Sequence, residues 1–171
     1  RRELKVGLPI LLMKASAEAI KRVPKINSVL QNNQVSYFDQ IDIGFAVALD
    51  DGLIVPVIRS VQEMSVSDIS SNVETLTRMS REGTLSTDDV VGGTFTISVL
   101  GVVDGFTPIL NSGQSALLGI GRSVEKPVVK NKEIVIREMM TISLTVDHQV
   151  IDGAVAAAFL RRFQQLIERP G

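Results

Sequence analysis

A single histidine occurs among the 171 residues, in Asp147-His148-Gln149-Val150-Ile151-Asp152-Gly153, where residue type and spacing suit proton transfer. A neutral imidazole has an unperturbed pKa of about 6.5, so it can take and return a proton near neutral pH. No second histidine and no cysteine competes for that role. Ahead of it, Met140 to Val146 mixes β-branched and apolar residues as a buried strand does, and the residues after Gly153 read as a helix. His148 is therefore expected at a strand-to-helix turn, where scaffolds commonly present reactive groups. The competing reading is a histidine satisfied within the core.

The elements that must position this turn follow from periodicity. Leu8, Leu11, Leu12, Ala15, Ala19 and Ile20 recur at helical spacing, and Val23-Pro24 ends that helix. Val35 to Ile58 reads as strands, with Asp50-Asp51-Gly52 as a hairpin turn. Ser65 and Asp68 have capping-box spacing, Ile69, Val73, Leu76 and Met79 form a stripe behind them, and Gly83 suits the far helix end. Thr94 to Val99 reads as a strand, followed by a glycine-bearing loop, Leu100 to Gly105. Short strands are predicted over Ala116 to Gly121, Val128 to Lys130, Ile134 to Arg137 and Met140 to Val146, with Asn131-Lys132 as a turn. The last helix puts Val155, Phe159, Phe163 and Leu166 on one face, with Arg161, Arg162, Gln164, Gln165 and Glu168 mostly in solvent.

Composition narrows the function classes. Eighteen Lys and Arg against nineteen Asp and Glu give a net charge of −1, so nothing favours nucleic acid or an anionic membrane as partner. Asp50 and Asp51 interrupt the longest aliphatic region, and no apolar run approaches the ~18–20 residues of a membrane span; a soluble domain is expected. Zero cysteines exclude disulfides, thiolate metal sites and a cysteine nucleophile, and one histidine argues against zinc. Aromatics are only 4% while mean hydropathy is +0.23, which fits an oligomer with aliphatic surface to cover. The length suits one α/β domain over 1–171. Starting at Arg1-Arg2-Glu3 without Met, the chain reads as a fragment of a longer polypeptide.

His-x-x-x-Asp-Gly after a strand resembles the active-site signature of the dihydrolipoamide acyltransferases, the E2 components of 2-oxo acid dehydrogenase complexes, and more distantly chloramphenicol acetyltransferase. Asp51-Gly52-Leu53-Ile54-Val55-Pro56-Val57-Ile58, Leu85 to Asp89, Gly92 to Ser98, Thr107-Pro108-Ile109 and Leu118-Gly119-Ile120-Gly121-Arg122 resemble segments of the same domain, in the same order. The resemblance implies an α/β two-layer sandwich, a mixed sheet with helices on one face. It also implies acyl transfer between dihydrolipoamide and coenzyme A, with no metal. The lipoyl group would sit on a separate domain, since this chain holds no lipoyl or peripheral-subunit-binding module.

A free thiol, with pKa near ~8.5, is mostly protonated at neutral pH and needs a base before it can attack a thioester. The resemblance assigns that base to His148 and the oxyanion donor to Ser98; read without it, Ser98 merely ends a strand. Asp152, counted with the catalytic residues, would hold the loop through an ion pair with an arginine from an early segment that has no match in this chain, while the histidine's own backbone would orient its ring. Gly153 would allow a tight turn. Ser98, Gly121, Ser123 and Arg122 are the implied coenzyme A contacts, with Gly119-Ile120-Gly121 letting the ligand approach. The implied assembly is a homotrimer, able to build a larger cage, whose active sites lie between copies. E1 and E3 components would associate through the full-length chain. Such proteins work in the cytoplasm of bacteria and archaea or in the mitochondrial matrix.

Departures from the family pattern are Gln149 in place of arginine, Val99 in place of a polar residue, a shortened loop over Leu100 to Gly105, and an end at Arg169-Pro170-Gly171 before the hydrophobic tail that locks trimers together. They keep two alternatives open: a noncatalytic scaffold subunit, and an acetyltransferase acting on a small alcohol or amine.

Overall fold

The computed structural model describes residues 7–168; the expected fragment start at Arg1-Arg2-Glu3 and the early end at Arg169-Pro170-Gly171 lie outside them. Helix α1 (Leu8–Arg22) has the predicted span. Its buried side is not the predicted stripe: Leu8 and Leu11 are exposed, while Ile10, Met13, Ser16 and Ala17 are buried along with Leu12, Ala15, Ala19 and Ile20. The reason is that α1 lies between two other helices and must bury both flanks. The N–H of Val23 closes α1 on the carbonyls of Ala19 and Ile20, and Pro24 opens a single 3-10 turn, Pro24–Ile26.

Strands β1 (Ser28–Gln31) and β2 (Gln34–Tyr37) form a hairpin around Asn32-Asn33, of which only the Val35 side was legible as strand. Both asparagines have positive φ, 50° and 60°, a conformation asparagine tolerates better than most residues. Strand β3 (Ile43–Phe45) follows, then the expected hairpin of β4 (Val47–Leu49) and β5 (Gly52–Ile54), then β6 (Val57–Ile58). Helix α2 (Val66–Glu82) starts at the predicted box, in which the Ser65 hydroxyl accepts from the Asp68 N–H and the Asp68 carboxylate from the Ser65 N–H. Gly83, at φ 66°, ends it in the left-handed region.

Strands β7 (Phe95–Val99) and β8 (Ala116–Ile120) are followed by β9 (Val124–Lys130) and β10 (Glu133–Met139), then β11 (Ile142–Val146) and helix α3 (Gly153–Glu168). β9 and β10 are seven-residue arms of one hairpin, longer than predicted, turning through Asn131-Lys132 at φ 53° and 67°. Half-buried Arg162 departs from the solvated face expected of α3.

The main sheet runs β11-β8-β7-β3-β6, parallel in its middle and antiparallel at both edges, the expected mixed sheet. Alternation sorts its two faces. Phe95, Ile97, Ala116, Leu118, Ile120, Ile142, Leu144 and Val146 join the core with the helices. Phe159 of α3 packs there, its ring tilted against Phe95 at 5.7 Å and stacked on Phe163 at 6.1 Å. Thr96, Ser98, Leu117, Gly119, Ser143 and Thr145 occupy the alternate positions, on the face away from the helices.

Parallel neighbours need a long return connection, usually a helix. Between β7 and β8 that return is the irregular segment 100–115. Thr145 pins it by donating its hydroxyl to the Pro108 carbonyl at 2.6 Å, and Asn111 by donating its side-chain amide to the Thr96 hydroxyl at 3.0 Å.

Candidate active site

The turn bearing His148 is organised by the residue before it. Asp147 extends the β11–β8 ladder by one step, its N–H donating to the Ser115 carbonyl at 2.9 Å. Its own carbonyl accepts from Val150 at 3.0 Å and Ile151 at 2.9 Å, and its carboxylate accepts from the Gln149 N–H at 2.9 Å. Fully buried Ile151 anchors the far side. The chain thus reverses around Asp147 and leaves His148 exposed at the strand end, as the strand-to-helix reading requires. Among the described residues the ring makes no hydrogen bond, including none to its own backbone.

Asp152 makes contacts that the sequence reading did not name. Its Oδ1 accepts from the Val155 N–H at 2.9 Å and its carbonyl from Ala156 at 3.1 Å, so it caps the N-terminus of α3. Among the described residues it has no arginine partner. The Val155 N–H is the main reason its carboxyl lies below the usual carboxylate range; desolvation opposes it, and the Ala154 N–H and the charges of Lys25 and His148 add to the lowering. Gly153 was expected to make a tight turn, but a Cβ there would meet open space and its φ is not positive. Neither crowding nor backbone conformation requires glycine at that position.

Ser98 lies half-buried near the end of β7, facing Gly119 across the ladder. Pro108 lies over this stretch, since a Cβ on Gly119 would come within 2.9 Å of its ring. At Gly121 the crowding is greater: a Cβ would sit 2.1 Å from the Asp104 carbonyl oxygen. The space that these glycines leave, expected to admit a ligand, is therefore taken by the protein's own segment 100–108. Arg122 clasps that segment from below: its Nε donates to Asp104 Oδ1, which holds the Asp104 carboxyl below its usual range, and its N–H donates to the Val103 carbonyl. Ser123, half-buried, follows at the root of the β9–β10 hairpin.

The registers fix how far His148 stands from Ser98. Ser98 pairs with Gly119, and Gly119 with Ser143. Asp147 lies four residues beyond Ser143, so it is about 13 Å further along the strands and two strands, about 10 Å, across. His148 is one residue further still. A base and its proton donor must approach to about 3 Å, directly or through one water. Within one copy the two side chains belong to opposite ends of the sheet, and the structure does not bring them together. Ser115, Asn111 and Thr145, which fix the framework between those ends, carried no signal in the sequence that could have singled them out.

The whole chain, residues 1–171, matches the family model of the 2-oxoacid dehydrogenases acyltransferase catalytic domain. A dihydrolipoyllysine-residue succinyltransferase component of the 2-oxoglutarate dehydrogenase complex from Rickettsia typhi is 42% identical over 169 residues, which are 98% of this chain and 42% of that protein. A dihydrolipoyllysine-residue acetyltransferase component of the pyruvate dehydrogenase complex from Rickettsia bellii is 37% identical over 168 residues, 97% of this chain and 40% of that protein. The chain thus spans less than half the length of these curated relatives. Among solved structures, Azotobacter vinelandii dihydrolipoamide acetyltransferase superposes with a TM-score of 0.91 at 38% identity, covering 96% of this chain and 70% of that one. Chloramphenicol acetyltransferase, at 14% identity and a TM-score of 0.54, shares the fold. The expected two-layer fold is therefore present, and the chain belongs to the family of 2-oxoacid dehydrogenase acyltransferase catalytic domains.

Proposed function

We propose that this chain is the acyltransferase core of a 2-oxo acid dehydrogenase complex and moves an acyl group between dihydrolipoamide and coenzyme A. His148 takes the proton from the attacking thiol, the thiolate adds to the thioester carbonyl, and the C–S bond to the other thiol then breaks as His148 returns the proton to the departing sulfur. General base help of this kind is typically worth ~10²–10⁴-fold. Ser98 donates its hydroxyl to the oxyanion, a contribution on the order of 10²–10³-fold.

The observation that carries this reading is the register: an exposed histidine and a half-buried serine at opposite ends of one sheet suit a site shared between two copies. In the Azotobacter enzyme a serine, a histidine and an asparagine have been investigated for their role in the catalytic mechanism, and that histidine and asparagine are spaced as His148 and Asp152 are here.

Coenzyme A would enter at the Ser98 end, meeting Ser98, Ser123 and Arg122 once the Asp104 clasp lets the guanidinium reach a phosphate, with Gly121 holding the loop beside it. The assembly would be a homotrimer built into a larger core; a structural neighbour is the cubic core of a pyruvate dehydrogenase multienzyme complex. Lipoyl domain, E1 and E3 would join through the longer polypeptide. A bacterial cytoplasm or mitochondrial matrix would suit it, as bacterial and mitochondrial relatives both occur. Among the described residues no helix is long and apolar enough to cross a membrane.

The test is thioester exchange to dihydrolipoamide from acetyl-, succinyl- and isobutyryl-CoA, for this chain and for His148→Ala. A fall of roughly a hundredfold or more establishes the base. The best donor identifies the acyl class, and no transfer by either protein favours the scaffold reading instead.

A further inference from the structure

We propose that Lys126 joins Arg122 in seating a coenzyme A phosphate, and that Asp104 fills this seat as an internal anion which the coenzyme must displace. The inference rests on the acyltransferase reading above, and adds to it a binding residue and a control on affinity. Asp104 holds two cations at once: its Oδ1 accepts from Arg122 Nε, and its Oδ2 lies 3.8 Å from Lys126 Nζ. A third cation, Arg137, stands directly opposite Lys126 in the β9–β10 register. Glu125 and Glu138 pair at the next step and so point to the other face of the hairpin. Like charges set opposite each other repel, and one carboxylate cannot neutralise three cations. The cluster therefore attracts a further anion, and two cations gripping one carboxylate are already arranged as a phosphate site requires.

The place suits the coenzyme. Ser98 pairs with Gly119, and Arg122 lies three residues further on, about 10 Å outward from the serine. A thiol reacting at Ser98 trails its phosphates behind it along a pantetheine arm, and outward is the direction of Arg122 and Lys126. The main chain of Asp104 is fixed, since its carbonyl crowds Gly121 and the Arg122 N–H donates to the Val103 carbonyl at 2.8 Å. Its side chain is not: Asp104, Arg122 and Lys126 are 55%, 48% and 44% exposed, so water screens both ion pairs. Freeing the seat takes a rotation of the Asp104 side chain and no movement of segment 100–105. A tethered carboxylate competes at high effective concentration, so a small anion displaces it poorly. A ligand with several phosphates and an arm held elsewhere displaces it well.

The experiment measures binding by titration calorimetry on the parent, Asp104→Asn and Lys126→Gln, with two probes: coenzyme A, and pantetheine, which carries the same thiol arm without phosphates. Asp104→Asn should tighten coenzyme A about fivefold to tenfold at low salt, the worth of one unit charge a few ångströms from a phosphate. Lys126→Gln should weaken it by a similar factor. Both effects should shrink at about 0.5 M salt, and the Kd of pantetheine should move less than about twofold in either variant. Unchanged or weaker coenzyme A binding by Asp104→Asn overturns the internal anion. Equal tightening of both probes overturns it too, because a lid that blocks the arm would not distinguish them. Lys126→Gln that binds coenzyme A like the parent removes Lys126 from the seat. Thioester exchange is run on the same samples: a parent that transfers acyl groups while Asp104→Asn fails to tighten leaves the acyltransferase reading standing without the clasp. Coenzyme A bound by none of the three sinks that reading and the clasp with it.

Discussion

Two inactive variants of this chain should restore each other. Ser98→Ala removes the proposed oxyanion donor and is expected to cost on the order of 10²–10³-fold; His148→Ala removes the proposed base, at an expected cost of ~10²–10⁴-fold. The strand registers put these residues about 13 Å apart along the sheet and about 10 Å apart across it, so a site of the proposed kind would draw one from each of two copies. In a ring where every site takes His148 from one copy and Ser98 from the next, random assembly of equal amounts gives both intact partners at about a quarter of the sites. The two variants would be co-expressed with different tags and mixed assemblies isolated on both tags in turn. Selecting mixed assemblies discards the homogeneous rings, so in a three-membered ring one site in three is intact and thioester exchange near a third of the parent rate is expected, far above either variant alone. Recovery no greater than the sum of the two residual rates would refute the argument from register, because a site within one chain cannot be rebuilt by mixing.

Other outcomes follow from the same geometry. Asp152→Asn keeps an acceptor for the Val155 N–H and should retain most of the turnover, while Asp152→Ala loses the cap and should lower kcat; parallel steady-state assays separate the two. Phe159→Ala removes a fully buried ring packed against Phe95 and stacked on Phe163 and should cost about 3–5 kcal/mol, lowering Tm by roughly 6–20 °C in a thermal melt. Gly121→Ala drives a methyl into the Asp104 carbonyl and should cost about 1–3 kcal/mol, with segment 100–105 displaced in a crystal structure. Asp68 and Asp152 have folded pKa values below their ordinary ones, so each contributes stability that is complete above the unfolded carboxylate pKa and is lost as pH falls through the folded value. Urea midpoints should therefore hold from about pH 7 to about pH 5 and drop near pH 3, and Asp68→Asn should flatten part of that drop.

What the sequence determined by itself is what local chemistry determines. Ser65 and Asp68 satisfy each other's backbone N–H groups over three residues, Gly83 accepts a left-handed φ, and Pro24 follows the end of a helix, so the starts and stops of α1 and α2 were legible without any partner. The strand before His148 and the helix after it were legible for the same reason, and they placed an exposed imidazole at a strand end. Tertiary structure decided the rest. Which side of α1 is buried depends on helices on both flanks, so Leu8 and Leu11 stay exposed despite good spacing. The room that Gly119 and Gly121 leave is filled by Pro108 and Asp104, contacts set by how segment 100–115 returns between two parallel strands. That Asp152 accepts from the first N–H groups of α3 was likewise set by the turn that brings them to its carboxylate. Most of all, His148 and Ser98 are separated by strand order and register, which exist only once distant segments pair, and it is that separation on which the proposal of a site shared with a second copy rests.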